Sequence, residues 1–93
     1  MEIRSTVKYR SRTDIAAAIL EISLEGAIKT KIMYKAFLSF PQLKEYLGVL
    51  VEKELLEHNA AEQKYRTTDK GKQYLKMYRD VGQMIFPNSV KKK

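Results

Sequence analysis

Apolar residues recur along the chain in two rhythms, and the places where the rhythm changes divide it into elements. Ile15, Ile19 and Ile22 follow the i, i+4, i+7 spacing of one helix face, with Ala18 beside them. Thr13 is placed to cap this first helix, and Asp14 brings a carboxylate to the positive end of its dipole. Gly26, with no Cβ to clash in the left-handed region, ends it. Ala27 and Ile28 then leave room for a very short strand. A second helix spans Lys29 to Ala36, where Ile32 and Ala36 stand four apart with Met33 adjacent.

Phe37 to Phe40 reads as a turn. Ser39 and Gln42 have capping-box spacing and Pro41 suits a first helical turn, but a residue before proline disfavours helical geometry, so the cap is either Ser39 or Phe40. In the third helix, Phe40 to Lys53, an apolar stripe of Leu43, Tyr46, Leu47, Leu50 and Val51 leaves Gln42, Lys44, Glu45 and Gly48 off it. Leu55 to Asn59 and Gln63 to Thr67 flank Asn59-Ala60-Ala61-Glu62, and Tyr65 and Thr67 alternate with Lys64 and Arg66, which predicts a β-hairpin. Thr68 caps a last helix with Asp69 in its first turn, and Lys70 to Phe86 continue it up to Pro87.

The order is helix, tiny strand, helix, turn, helix, hairpin, helix. It predicts a mainly α fold with a small β-hairpin (α+β): a winged helix-turn-helix with an additional C-terminal helix. The expected division is a basic N-terminal arm over 1–12, the winged unit over 13–67, the C-terminal helix over 68–86 and a basic tail over 87–93. In such a fold the second helix of the pair enters the major groove of DNA with its N-terminal residues nearest the bases, and the hairpin is the wing.

Composition narrows the class. For 93 residues, 44% of them hydrophobic, one modest core and a single domain are expected. With no Cys there is neither a disulfide framework nor a thiolate zinc site. Met1 to Arg12 alternates apolar and basic residues, and no segment approaches ~18 consecutive apolar residues. A soluble protein of the cytoplasm, with no membrane contact, is expected.

The net charge of +7 is uneven. Arg4, Lys8, Arg10 and Arg12 against Glu2 give +3, and Lys91, Lys92 and Lys93 give another +3, while residues 13–90 hold 11 basic and 10 acidic residues. Inside that near-neutral part, Lys29, Lys31, Lys35 and Lys44 form a local excess, with no acidic residue between Gly26 and Lys44. Short basic ends also serve plain solubility, so the internal excess says more.

For a duplex partner, Gln42 can bond adenine twice, Lys44 can donate to guanine and Glu45 can accept from cytosine. Ser39, Lys29, Thr30, Lys31, Tyr34 and Lys35 are placed for phosphates, with partial burial the alternative for Tyr34. Lys64 and Arg66 are wing contacts. Arg4, Lys8, Arg10 and Arg12 form an arm that follows the backbone or enters a minor groove. The competing reading is a solvated helix face, or a module that docks a protein partner, since Glu45, Glu52, Glu54 and Glu57 would oppose phosphates.

Of the six tyrosines, Tyr46, Tyr65, Tyr74 and Tyr78 fall at core or hairpin positions, which argues against base stacking. An enzyme is not expected. His58, the only histidine, lies on a strand beside Glu57 as a half-exposed structural residue, with no second His or Cys to complete a metal site. Gly26, Gly48, Gly71 and Gly82 are too scattered for a phosphate loop. No cofactor and no metal are expected. No pocket with convergent polar groups can be inferred, so no small-molecule ligand is expected either.

The stretches RSRTDIAAAILEI, GAIKTKIMYKAFLSFPQLKEYLGVLVEKELLE and YRTTDKGKQYLKMY cover about residues 10–78. They resemble the small archaeal winged-helix DNA-binding proteins, both regulators and chromatin-associated members. The resemblance implies duplex binding through the helix at Phe40–Lys53 and its hairpin, and homodimerisation through the last helix, which in some members forms a long antiparallel coiled coil. Here that helix must stop near Pro87, about five turns after Thr68. Met77, Val81 and Met84 nevertheless lie at i, i+4, i+7, with Tyr74, Tyr78 and Ile85 alongside, more apolar surface than one side needs. Pairing with a second copy is expected there; the alternative is that Tyr74, Leu75 and Tyr78 only complete the core.

Overall fold

Ser11, not Thr13, starts the first helix in the computed structural model, which describes residues 10–85. The Ser11 hydroxyl accepts from the Asp14 amide at 3.1 Å while Asp14 Oδ2 accepts from the Ser11 amide at 2.9 Å, so α1 spans Arg12–Ile22. Serine and threonine cap almost equally well, but only Ser11 stands three residues before a carboxylate that can reach back. The expected arm over 1–12 therefore gives up Arg12 to the helix. Arg4, Lys8 and Lys91 to Lys93 lie outside the described residues.

Ile15, Ala17, Ile19 and Leu20 of α1 are buried, whereas Ala18 and Ile22 are only half-buried. Other elements cover α1 from more than one side, so one stripe does not account for its apolar surface. The helix also ends earlier than expected, with Ser23 to Glu25 as a turn before Gly26, whose φ of 97° does occupy the left-handed region.

The second helix, α2, spans Lys29–Ala36 and buries Ile32 and Ala36. It closes with Phe37 at φ 55° and the amides of Phe37 and Leu38 donating to the Tyr34 and Met33 carbonyls at 3.4 and 3.0 Å. Buried Leu38 is the hydrophobic contact that goes with this ending. Ser39 caps α3, Phe40–Glu52, with the Ser39/Gln42 box formed and Phe40 already helical despite Pro41. Leu43, Tyr46, Leu47 and Leu50 turn inward. Beyond Lys53, Glu54 takes φ 66°, and the amides of Glu54 and Leu55 return to Val51 and Leu50 at 3.0 and 2.8 Å.

Strands β1, Leu56–Asn59, and β2, Lys64–Thr67, pair antiparallel, with Leu56 opposite Thr67 and His58 opposite Tyr65. Ala27 adds a one-residue third strand, exchanging hydrogen bonds of 2.9 and 2.8 Å with Tyr65. Ile28, expected in that strand, is instead the N-cap of α2. Thr68 caps α4, Asp69–Ile85, its hydroxyl accepting from the Gly71 amide at 3.0 Å and donating to the Glu54 carbonyl at 2.7 Å. Gly71 is required there: a Cβ would collide with the Leu55 carbonyl oxygen and stand 2.6 Å from Thr67 Cγ2. The core gathers around α1 and takes Leu56 from the hairpin and Leu75 from α4. Among the described residues, no helix is long and apolar enough to cross a membrane.

Candidate nucleic-acid interface

Because α3 buries Leu43, Tyr46, Leu47 and Leu50, its opposite face is fixed by periodicity: Pro41, Lys44, Glu45, Gly48 and Glu52 are exposed. The lysine-rich side of α2 lies before it in the chain and the hairpin after it. All the candidate contacts within the described residues are exposed: Arg10, Arg12, Lys29, Thr30, Lys31, Tyr34, Lys35, Ser39, Gln42, Lys44, Glu45, Lys64 and Arg66. At 79% exposure, Tyr34 does not belong to the core.

Exposure does not make these residues equivalent. Arg10 donates to the Ala36 and Phe37 carbonyls at 2.6 and 3.2 Å and so satisfies the C-terminal end of α2. Arg12 reaches Glu45 at 3.2 Å and lies 5.4 Å over the Tyr46 ring. The hydrogen bond to Glu45 raises the Arg12 pKa further above its usual value. The Gln42 carbonyl oxygen accepts from the Ser39 amide at 3.0 Å and from its hydroxyl at 3.1 Å. Only its amide donors remain for a base, so the bidentate geometry adenine needs is not presented. Lys44 is thus the residue of the reading trio without a hydrogen bond or ion pair among the described residues.

Lys64 and Arg66 share the outer face of β2, and Glu57 stands directly across from Arg66. They lie back over the junction of α1 and α2: a Cβ on Gly26 would be 3.2 Å from Arg66 Nη2 and 3.7 Å from Lys64 Cδ. On the other face, the His58 and Tyr65 rings stack with centroids 4.4 Å apart. His58 is exposed rather than half-exposed.

Between α3 and that inner face runs a groove of ≈ 490 Å³. Leu43, Leu47 and Val51 form its floor, Phe40 and Tyr65 its aromatic walls, and Lys29, Lys44, Glu52 and His58 its rim. The Lys29 ammonium stands 5.8 Å over the Phe40 ring. Sequence reading missed this groove because its walls come from α2, α3 and the hairpin. One signal was present, since Phe40, Lys44, Gly48 and Glu52 recur every four residues along one side of a helix.

The dimer stripe divides in two. Tyr74 donates to the Thr13 carbonyl at 2.9 Å and Tyr78 to Asp14 Oδ1, while Arg79 pairs with Glu21 at 3.3 Å, so this turn of α4 is fastened to α1. The Tyr78 hydroxyl, with the Ser11 amide second, holds the Asp14 carboxyl below its ordinary range. Reciprocally, the Asp14 hydrogen bond pushes Tyr78 up to about 12, and burial, then the Asp14 charge, raises Tyr74. Met77, Val81, Met84 and Ile85 have no such engagement and remain exposed, Met84 at 82%.

A family model described as winged helix-turn-helix matches residues 9–86. No curated protein matches the chain. The chain belongs to the winged helix-turn-helix family, and its fold is a winged helix-turn-helix with a C-terminal helix.

Proposed function

We propose that this winged helix-turn-helix protein is a transcription regulator that places the first turns of α3 in the major groove of duplex DNA, working on the nucleoid in the cytoplasm. Lys44 is its base-reading cation. Lys29, Thr30, Lys31 and Lys35 take phosphates, Lys64 and Arg66 take those beside the wing, and two copies pair through Met77, Val81, Met84 and Ile85 of α4. One observation carries the reading: Lys29, Lys31, Lys35 and Lys44 are all exposed around the α2–α3 unit, and no ion pair between described residues engages them. Cations so placed attract a polyanion and release its counterions on binding.

A fluorescence-anisotropy titration at two salt concentrations, comparing random with promoter-proximal duplex, tests the proposal. Regulation requires tighter binding to the promoter-proximal site and a steep loss of affinity with salt; a shallow salt dependence overturns the phosphate contacts assigned to these cations, and no binding to either duplex overturns DNA binding. Equal affinity for both duplexes replaces regulation by general chromatin-like binding. Light scattering tests the pairing, and a monomeric mass at micromolar concentration removes it. The rival reading, a module docking a protein partner, relied on four exposed glutamates, and Arg12 neutralises one of them, Glu45. No binding to random duplex at low salt would favour that rival.

A further inference from the structure

The geometry points to a small-molecule site in the groove between α3 and the hairpin, taking a planar aromatic compound of one or two rings with a single carboxylate. Its ≈ 490 Å³ falls within the range of ligand clefts, and its floor of leucines with a few rim charges has the usual make-up of one. Phe40 and Tyr65 supply aromatic rings, and the His58 ring, stacked on Tyr65 with centroids 4.4 Å apart, continues that wall to the rim.

The charge order along the groove selects the ligand. Lys29 and Lys44 stand at the end where α3 begins, and Glu52 stands two turns beyond Lys44, about 12 Å along the helix. An anionic head is therefore favoured at the Phe40 end, where the positive end of the helix dipole also lies, and disfavoured at the other. A continuous phosphate strand laid along the groove would meet Glu52; a molecule with one carboxylate and an apolar body would not.

Gly48 gives the groove its width. A Cβ there meets nothing within 4 Å, so no packing in the fold requires glycine. Mid-helix glycine nevertheless destabilises by about 1 kcal/mol relative to alanine. What its missing side chain leaves open is the middle of the wall between Lys44 and Glu52.

The compound would occupy the side of α3 that carries Lys44, so it and duplex DNA exclude each other, an exclusion that rests on the proposed DNA binding. The test is an NMR titration of the full chain, without DNA, with 2-naphthoate and its uncharged analogue 2-naphthamide. Saturable shifts at the amides of Phe40, Gly48 and Tyr65 are expected, with naphthamide binding about ten-fold more weakly. Gly48→Leu should fill the groove and weaken naphthoate by at least about ten-fold while keeping or raising the melting temperature, since leucine is a good helix former. Lys44→Gln, which leaves the groove open, should also weaken it. Absence of saturable shifts, equal binding of the amide, or unchanged affinity in Gly48→Leu overturns the site. Because no DNA is present, this outcome is read separately from any failure of duplex binding. Displacement of a bound duplex by naphthoate then tests the mutual exclusion.

Discussion

The guanidinium of Arg12 stands 3.2 Å from the carboxylate of Glu45, joining the first turn of α1 to the outer face of α3 across 33 residues of sequence. Both side chains are more than half exposed, so water screens the pair and its contribution to stability is small. Its larger effect is on the field at the exposed face of α3, where it offsets a negative charge and occupies a positive one. Glu45→Gln should leave the melting temperature nearly unchanged and raise affinity for duplex several-fold at low salt, an advantage that fades as salt is added. Anisotropy titrations beside thermal melts check this; weaker binding would show that Glu45 itself accepts from a base.

In the proposed complex, Lys44 and Lys64 separate reading from holding. Lys44→Met should change the ranking of duplex sequences, because the proposed docking sets its ammonium against base edges. Lys64→Met should weaken all duplexes alike and reduce the salt slope by about one unit. Competition titrations over a small duplex panel measure both, and uniform weakening by both variants would remove the base-reading role of Lys44.

Two glycines in helices should respond oppositely to alanine. At Gly71 the added methyl meets the Leu55 carbonyl and Thr67 Cγ2, forcing α4 off the hairpin at a cost of roughly 2 kcal/mol or more. At Gly48 it meets nothing, and the helix gains about 1 kcal/mol. Urea midpoints of Gly71→Ala and Gly48→Ala should move in opposite directions.

Two hydroxyls near the α1–hairpin contact should differ as well. Thr67 Oγ1, buried, donates to the Leu20 carbonyl at 2.6 Å; Ser23 Oγ, equally buried, has no partner among the described residues. Thr67→Val leaves a buried carbonyl without that donor and should cost about 1–3 kcal/mol. Ser23→Ala removes an unsatisfied group and should be neutral or stabilising. The same denaturation series compares them.

The bond from Tyr78 to Asp14 should shape both ends of the pH-stability curve. Asp14 is depressed, so its contribution is present above the ordinary carboxylate range, near 4, and is lost as pH falls through its lower folded value. Tyr78 is raised to about 12, so its contribution is complete below about 10 and is lost as pH climbs toward 12. Tyr78→Phe should flatten both limbs in melts across pH, and absorbance near 295 nm should lose one late-titrating tyrosine.

Local chemistry made most of the fold legible. Ser39, Pro41 and Gln42 mark the start of α3 within a few residues of one another, Thr68 marks α4, and the stripes of α2 and α3 bury the residues that their spacing selects except Val51, which is half-buried. The misreading of α1 had two causes. Thr13 and Ser11 are interchangeable caps until Asp14 is seen to bond back, and Ala17 and Leu20 are buried by neighbours that a single stripe does not anticipate. At the candidate site, exposure was legible and engagement was not. Arg10 bonds across 26 and 27 residues, Arg12 across 33 and Tyr78 across 64, distances at which sequence spacing carries no information. The groove escaped for the same reason.

The tyrosine fastening of α4 onto α1 bears on geometry at a larger scale. Tyr74 and Tyr78 fix the heading of α4 against the body that carries α3, while the last turns, with Met84 and Ile85, run on past that anchorage. In the proposed dimer, two copies would meet along those turns, and the crossing of the paired α4 helices would set the separation of the two α3 helices. The span between half-sites on an operator would then be gauged by the methionine end of the protein, far from any base, and a repacked crossing would retune that span while leaving the proposed reading residues unchanged.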